Sequence, residues 1–170
     1  MKIFRVLIVL VIVAFGCNTA NKTPEAENTT KIMTNEVTKP TDIKVKGVNE
    51  VFVSSNDQMQ FDKTEIRVKS GHKVTLTLRH KGMMSKIVMG HNFVLLNKGV
   101  DLVKFAQKAL SAQDHNYVPL GSKDVLAYTK IIGGGERVSI TFDAPEKGTY
   151  DFLCSFPGHY AMMKGKFIVE

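Results

Sequence analysis

The chain has 170 residues, with 23 Lys and Arg against 16 Asp and Glu, no Trp and two Cys. That length accommodates an appendage and one domain with a self-sufficient core, and two cysteines 137 positions apart exclude a disulfide-rich scaffold, a zinc ribbon and an iron–sulfur cluster on four thiolates. A hydrophobic content of 44% excludes global disorder, while the formal charge of +7 leaves nucleic acid, an anionic surface and an acidic partner all open.

Met1-Lys2-Ile3-Phe4-Arg5 is a basic start, and Val6 to Phe15 is an apolar run of ten. Ten helical residues span about 15 Å, half a bilayer, so residues 1–16 read as an export signal rather than a membrane-spanning helix. The run ends in Gly16-Cys17-Asn18. A small residue before a cysteine, just past an apolar stretch, resembles the lipobox of bacterial lipoproteins. That resemblance implies cleavage before Cys17 and lipidation of its thiol; ordinary signal-peptidase cleavage with Cys17 incidental is the alternative. From Asn18 to Thr41, eleven of 24 residues are Asn or Thr, and large apolar side chains are almost absent. Such a segment cannot bury enough surface to offset its ordering entropy. Residues 17–44 therefore read as a flexible tether with a typical span of about 30 Å, ahead of a domain at 45–170.

From about Lys44 the pattern has period two. Val51 and Val53, Ile66 and Val68, and Val74, Leu76 and Leu78 each share a face. The alternation returns at 125–129, 138–142, 150–154 and 166–169. Turn signals separate these runs at Lys69-Ser70-Gly71, Gly133-Gly134-Gly135 and Ala144 to Gly148. Seven or eight short strands at this spacing predict an all-β antiparallel sandwich or barrel. One segment differs: Leu102, Phe105, Ala106, Ala109 and Leu110 recur three or four apart, which predicts a short amphipathic helix within 101–112, with Asp101 at its start. The three glycines at 133–135 precede a strand, so they read as a hairpin turn and not a phosphate cradle.

The informative stretch is Cys154-Ser155-Phe156-Pro157-Gly158-His159-Tyr160-Ala161-Met162-Met163. Cys154 closes a strand, Pro157-Gly158 turns the chain, His159 follows five residues after the cysteine and Met163 four later. A strand end and a tight loop can thus aim a thiolate, an imidazole and a thioether at one point. Far upstream, Met89-Gly90-His91-Asn92-Phe93 supplies a second His at the start of an apolar run. Two His and a Cys in a plane with a weak axial Met form the pattern of blue-copper electron-transfer sites. The thiolate suits Cu(I), imidazole suits both oxidation states, and a distant thioether adds little to either. Gly90 lacks a side chain, so its carbonyl could approach the metal from the opposite side. Asn92 is placed to tie the two ligand-bearing segments together. Leu153, Phe156 and Met162 read as packing around the site.

Asn56-Asp57-Gln58-Met59-Gln60-Phe61, Val88 to Leu95 and Cys154 to Gly165 resemble the azurins. The resemblance covers about 125 residues and implies a cupredoxin-like Greek-key β-sandwich of about eight strands with one helical insertion. It implies one type 1 copper ion held by His91, Cys154 and His159, with the Met163 thioether and the Gly90 carbonyl as long axial contacts. It further implies a buried, non-ligand His80 beside the site. Met83 and Met84 fall in a loop where the family has an apolar docking patch, which Met59, Phe156 and Ala161 would extend. The family's usual disulfide has no cysteine left to form it, and its usual core Trp is Phe93 here.

The expected function is single-electron carriage between periplasmic or membrane redox partners, without enzymatic turnover. The alternative is a module that scavenges or delivers copper to a membrane enzyme. A thiol nucleophile is disfavoured because no orienting Asn or Asp accompanies the Cys–His pair. The expected location is the cell envelope, exported and lipid-anchored, facing the periplasm. Residues 46–170 carry 17 Lys and Arg against 12 Asp and Glu. That surplus suits an anionic membrane or an acidic redox partner, and no motif points to nucleic acid.

Overall fold

The computed structural model describes residues 47–170; the export signal, Cys17 and the tether lie outside the described residues. Alternating side chains build β1 (Val48–Ser55), β2 (Glu65–Val68) and β3 (Lys73–His80), followed by β4 (Val94–Leu96), β5 (Val125–Tyr128), β6 (Arg137–Asp143), β7 (Gly148–Leu153) and β8 (Lys164–Val169). They form two sheets, one ordered β1-β3-β6 and the other β2-β8-β7-β4-β5. Val51, Val53, Leu76 and Leu78 of the first sheet face Phe93, Leu95, Phe152 and Phe167 of the second, and all eight are buried. Phe93 stacks on Phe152 with centroids 4.9 Å apart, so an aromatic core survives without indole. Each such ring contributes about 2–3 kcal/mol of burial.

The all-β sandwich of eight strands is as expected, but its pairing is not purely antiparallel. β1 runs parallel to β3, and β2 runs parallel to β8. The chain crosses between sheets at β1–β2, β2–β3, β3–β4, β5–β6 and β6–β7, which is how sequential strands come to lie apart. Gly133–Gly135 is therefore a sheet-to-sheet crossing and not a hairpin turn. Gly135 takes φ 78° there, and a Cβ on Gly134 would strike the Met83 backbone. β4 escaped the period-two pattern because it is buried on both faces: Leu95 points into the sandwich, while Val94 and Leu96 point away from it.

Those outward residues have their own cover. Phe105, Ala106 and Ala109 of a helix at Leu102–Ala109 pack on Val94, Leu96 and Leu153 as a second, smaller core. Asp101 caps this helix, its Oδ1 accepting the N–H groups of Val103 and Lys104 at 3.0 and 3.1 Å. A four-residue helix, α1 (Lys86–Met89), precedes β4, so the capped helix is α2. Removing the cap with Asp101→Ala is expected to lower stability by about 1 kcal/mol, while Asp101→Asn costs a few tenths. Denaturant midpoints of the two variants check this.

Candidate metal centre

One end of the sandwich gathers three loops. The turn after β7 carries Cys154 and, on a 3₁₀ turn at His159–Ala161, His159. The segment between α1 and β4 carries His91, tied to the β5–β6 crossing by two backbone bonds with Ile132, at 3.0 and 2.9 Å. The loop after β1 adds Asn56. Gly158 turns the ligand loop at φ 82°, a conformation that glycine adopts without strain.

The donor atoms converge. His91 Nδ1 and His159 Nδ1 are 3.2 Å apart, and Cys154 Sγ lies 3.9 Å from the first and 3.7 Å from the second. A first-row metal bonded to nitrogen at about 2.0 Å and to sulfur at about 2.3 Å in a plane would hold the nitrogens about 3.5 Å apart and each about 3.7 Å from the sulfur. The triangle matches that shape, and the soft donor set suits copper. The Gly90 carbonyl oxygen is 4.0 Å from Cys154 Sγ. A Cβ on Gly90 would collide with the Lys86 carbonyl, Ile131 and Phe156, so space explains the glycine. Met163 is fully buried, and its carbonyl accepts the Cys154 N–H at 2.9 Å.

Hydrogen bonds hold the donors in place. His91 Nε2–H donates to the Asn56 carbonyl at 2.9 Å, which leaves the Nδ1 lone pair free for a metal. Asn92 Oδ1 accepts the Ser155 N–H at 2.9 Å. Its Nδ2 donates to Ser155 Oγ at 2.9 Å and to the Asn116 carbonyl at 2.8 Å. Asn92 thus links the segment that carries His91 to the one that carries Cys154. Ser155 completes it by donating to the Tyr117 carbonyl at 2.7 Å. That role was missed; the only signal was adjacency to Cys154. His80 is fully buried and its ring stacks on His91 at 4.4 Å. Its Nδ1 accepts the Gly82 N–H at 2.9 Å and its Nε2 faces the Met89 carbonyl at 3.1 Å, so Nε2 carries the proton.

One expectation changes around the rim. Met162 is 58% exposed, because the 3₁₀ turn directs it outward while Met163 points in, so it does not pack on the site. Met83 and Met84 are exposed, with Met83 at 92%. Ile87 and Val88 of α1 extend that apolar surface and were not anticipated; four residues are too few to show a period. Met59 and Phe156 are half-buried, and the Phe156 ring lies 4.7 Å from His159.

Burial sets the electrostatics. Desolvation pushes His91 and His159 down to about 4, despite the Asn56 bond that favours a charged His91. It pushes the Cys154 thiol up to about 12, against N–H groups of Asn92 and Phe156 that favour the thiolate. A thiol so reluctant to ionise is the opposite of an activated nucleophile, which rules against acyl chemistry. A metal that binds at neutral pH must displace the thiol proton.

Residues 47–170 match the family model described as copper binding proteins of the plastocyanin/azurin family. The chain is 47% identical over 120 residues to Azurin-1 of Alcaligenes xylosoxydans xylosoxydans, covering 68% of this chain and 92% of that one. It is 44% identical over 125 residues to the azurin of Pseudomonas chlororaphis, covering 71% and 97%. Among solved structures it resembles auracyanin A, a "blue" copper protein from Chloroflexus aurantiacus, at a TM-score of 0.67 and 33% identity, over 73% of this chain and all of that one. The fold and the buried His–Cys–His triangle define a cupredoxin. The chain belongs to the plastocyanin/azurin family of copper proteins, and its cofactor is copper.

For the metal-free protein, the pKa shifts fix the sign of its pH dependence. Between pH 6.5 and about 4 the unfolded chain binds protons that folded His91 and His159 refuse, so stability falls with acidification across that window. Between pH 9.0 and about 12 the unfolded thiol ionises while folded Cys154 does not, so stability falls as pH rises. Denaturant midpoints against pH should show a plateau between those windows, and Cys154→Ser should remove the alkaline limb alone.

Proposed function

We propose that this chain carries single electrons between redox proteins outside the cytoplasm, as a type 1 copper protein, and is not an enzyme. The observation that supports this reading best is the buried triangle of one sulfur and two imidazole nitrogens, held by the hydrogen bonds of Asn56, Asn92 and Ser155. Copper, when bound, supplies reversible one-electron chemistry by cycling between Cu(II) and Cu(I). His91, Cys154 and His159 would hold it, with the Met163 thioether and the Gly90 carbonyl as further, weaker donors.

The protein's part is to keep those donors still. The Asn56 carbonyl fixes the His91 ring, and the Asn92 amide fixes Ser155 and through it the Cys154 end of the ligand loop. Two backbone N–H groups, of Asn92 and Phe156, face the sulfur and favour its anionic form. A cage held this way has little to rearrange when an electron arrives, which keeps transfer fast. His159 supplies the outlet: its Nδ1 faces the other donors, while its Nε2 has no partner among the described residues and is not sealed from solvent. Met83, Met84, Ile87 and Val88 offer an apolar contact at the same end. The amino-acid sequence of residues 1–16 and Cys17 supports export and a lipid anchor on the periplasmic side of a bacterial membrane.

Copper-loaded protein should be intensely blue from thiolate-to-Cu(II) charge transfer, and Cys154→Ser should be colourless with copper present. A colourless wild type would sink the reading. Rapid loss of copper to a competing Cu(I) chelator would instead mark a delivery module.

Apolar docking through Met84 has its own check. Met84→Lys should slow electron self-exchange, followed by NMR line broadening, by about tenfold, the equivalent of one lost apolar contact. The blue absorption should not change.

A further inference from the structure

Strand register fixes what the β1-β3-β6 sheet shows to solvent. Alternation buries Val51, Val53, Leu76 and Leu78, so their neighbours along each strand point outward. The outward residues stand in cross-strand rows. Ser54 lies beside Arg79 and Arg79 beside Arg137; the next row is Phe52, Thr77 and Ser139, and the one after it Glu50, Thr75 and Thr141. Such rows are about 7 Å apart, on strands about 4.8 Å apart. Hydroxyls bond across the strands, Thr77 with Ser139 at 2.7 Å and Thr75 with Thr141 at 3.2 Å. Phe52 ends its row and is 61% exposed.

The arginine row works against the fold. Arg79 and Arg137 are directly opposite each other, both are exposed, and neither has an ion pair among the described residues. Like charges in that position repel and weaken a sheet. The acids beside the row are spent elsewhere. Asp62 accepts the Ser54 N–H at 2.7 Å and lies 3.7 Å from Lys63. Glu136, the neighbour of Arg137, accepts the Gly133 N–H at 2.9 Å. Two guanidinium groups on adjacent strands can grip one carboxylate, phosphate or sulfate through several N–H groups at once.

The second row offers what a bare anion would not use. An exposed ring suits the C–H face of a sugar, and Thr and Ser hydroxyls donate and accept as sugar hydroxyls do. Phe52 also walls a depression of about 260 Å³, with Glu50, Lys63 and Arg67, between the outer edges of β1 and β2. That gives a chain of sugars room to continue past the ring. A nucleic acid needs a longer basic track than two arginines, and Glu50 opposes it. A membrane needs more apolar surface than Phe52 and Val48 supply. We propose that this face binds an acidic polysaccharide, with a carboxylate between Arg79 and Arg137 and a sugar ring on Phe52, Thr77 and Ser139.

NMR titration of the isotope-labelled, copper-loaded protein, kept reduced, with trigalacturonate tests this. Shifts should concentrate at Phe52, Thr77, Arg79, Arg137 and Ser139. Arg79→Gln with Arg137→Gln should weaken binding about tenfold and Phe52→Ser about fivefold, with the absorption of the oxidised protein unchanged. The methyl ester of the same trisaccharide lacks the charge and should bind about tenfold more weakly. Arg137→Thr alone should weaken binding yet raise the denaturant midpoint, because it removes the repulsion. A lowered midpoint would make the pair a part of the fold and overturn the proposal. So would a titration with no shifts on this face, or a methyl ester that binds as well as the acid. Inorganic phosphate that shifts the same residues at the same concentration would reduce the face to a bare anion site and overturn the sugar. Oligothymidylate, or vesicles containing phosphatidylglycerol, binding this face more tightly than the trisaccharide would overturn it in favour of nucleic acid or membrane.

Discussion

The structure depends most on the reciprocal bonds between Asn92 and Ser155. The ligand set comes from two segments 63 residues apart, and each clamp residue sits immediately after a ligand: Asn92 after His91, Ser155 after Cys154. An amide with both ends committed fixes the distance between two loops that share no strand pairing at that point. Both residues are buried, so a bond left unmade would cost about 1–3 kcal/mol. The clamp also reaches the α2 insertion, because Asn92 and Ser155 donate to the carbonyls of Asn116 and Tyr117. Those two residues take φ 59° and 55°, a left-handed pair that non-glycine residues rarely adopt. Their unusual backbone is what turns both carbonyls toward the clamp.

A site this closed has an electrostatic consequence. With no metal, burial keeps the two histidines neutral well below their ordinary range and keeps Cys154 a thiol. The fold therefore holds three neutral donors around a space that a cation fits, instead of a preformed anion that would repel burial. Binding exchanges one thiol proton for a metal ion, and the N–H groups aimed at the sulfur are then satisfied by a thiolate. The aromatic core and the capped α2 supply the stability, which leaves the loop end free to be shaped by chemistry.

Much of this was legible in the amino-acid sequence, for reasons that can be stated. Cys154, His159 and Met163 lie on one short loop, so spacing alone aims them together. The α2 helix shows its period and its cap. Seven strands show alternation, because each has one face in the core and one in water. Other features carry no such mark. A strand buried on both faces, such as β4, reads only as an apolar run. Parallel pairing of β1 with β3 is a property of the whole topology, and so is the crossing at Gly133–Gly135. The Asn56 carbonyl that orients His91 belongs to the backbone, which every residue has. Whether Met162 or Met163 faces inward depends on one 3₁₀ turn, and adjacent identical residues cannot reveal it.

The two histidine ligands show how far the residue type underdetermines the role. Both are buried, both are pushed down to about 4, and desolvation is the main cause in each. Their second nitrogens separate them. His91 Nε2 is spent on the Asn56 carbonyl inside the protein, so this ring is an anchor with no outward face. His159 Nε2 has no hydrogen-bond partner among the described residues, and the ring is held instead by its place on the 3₁₀ turn and by Phe156 at 4.7 Å. On the proposed carrier reading, an electron leaving through His159 would pass no further hydrogen-bonded residue, whereas one leaving through His91 would meet the loop after β1. On that reading, the direction of transfer would follow from one hydrogen bond present on the first ring and missing, among the described residues, from the second.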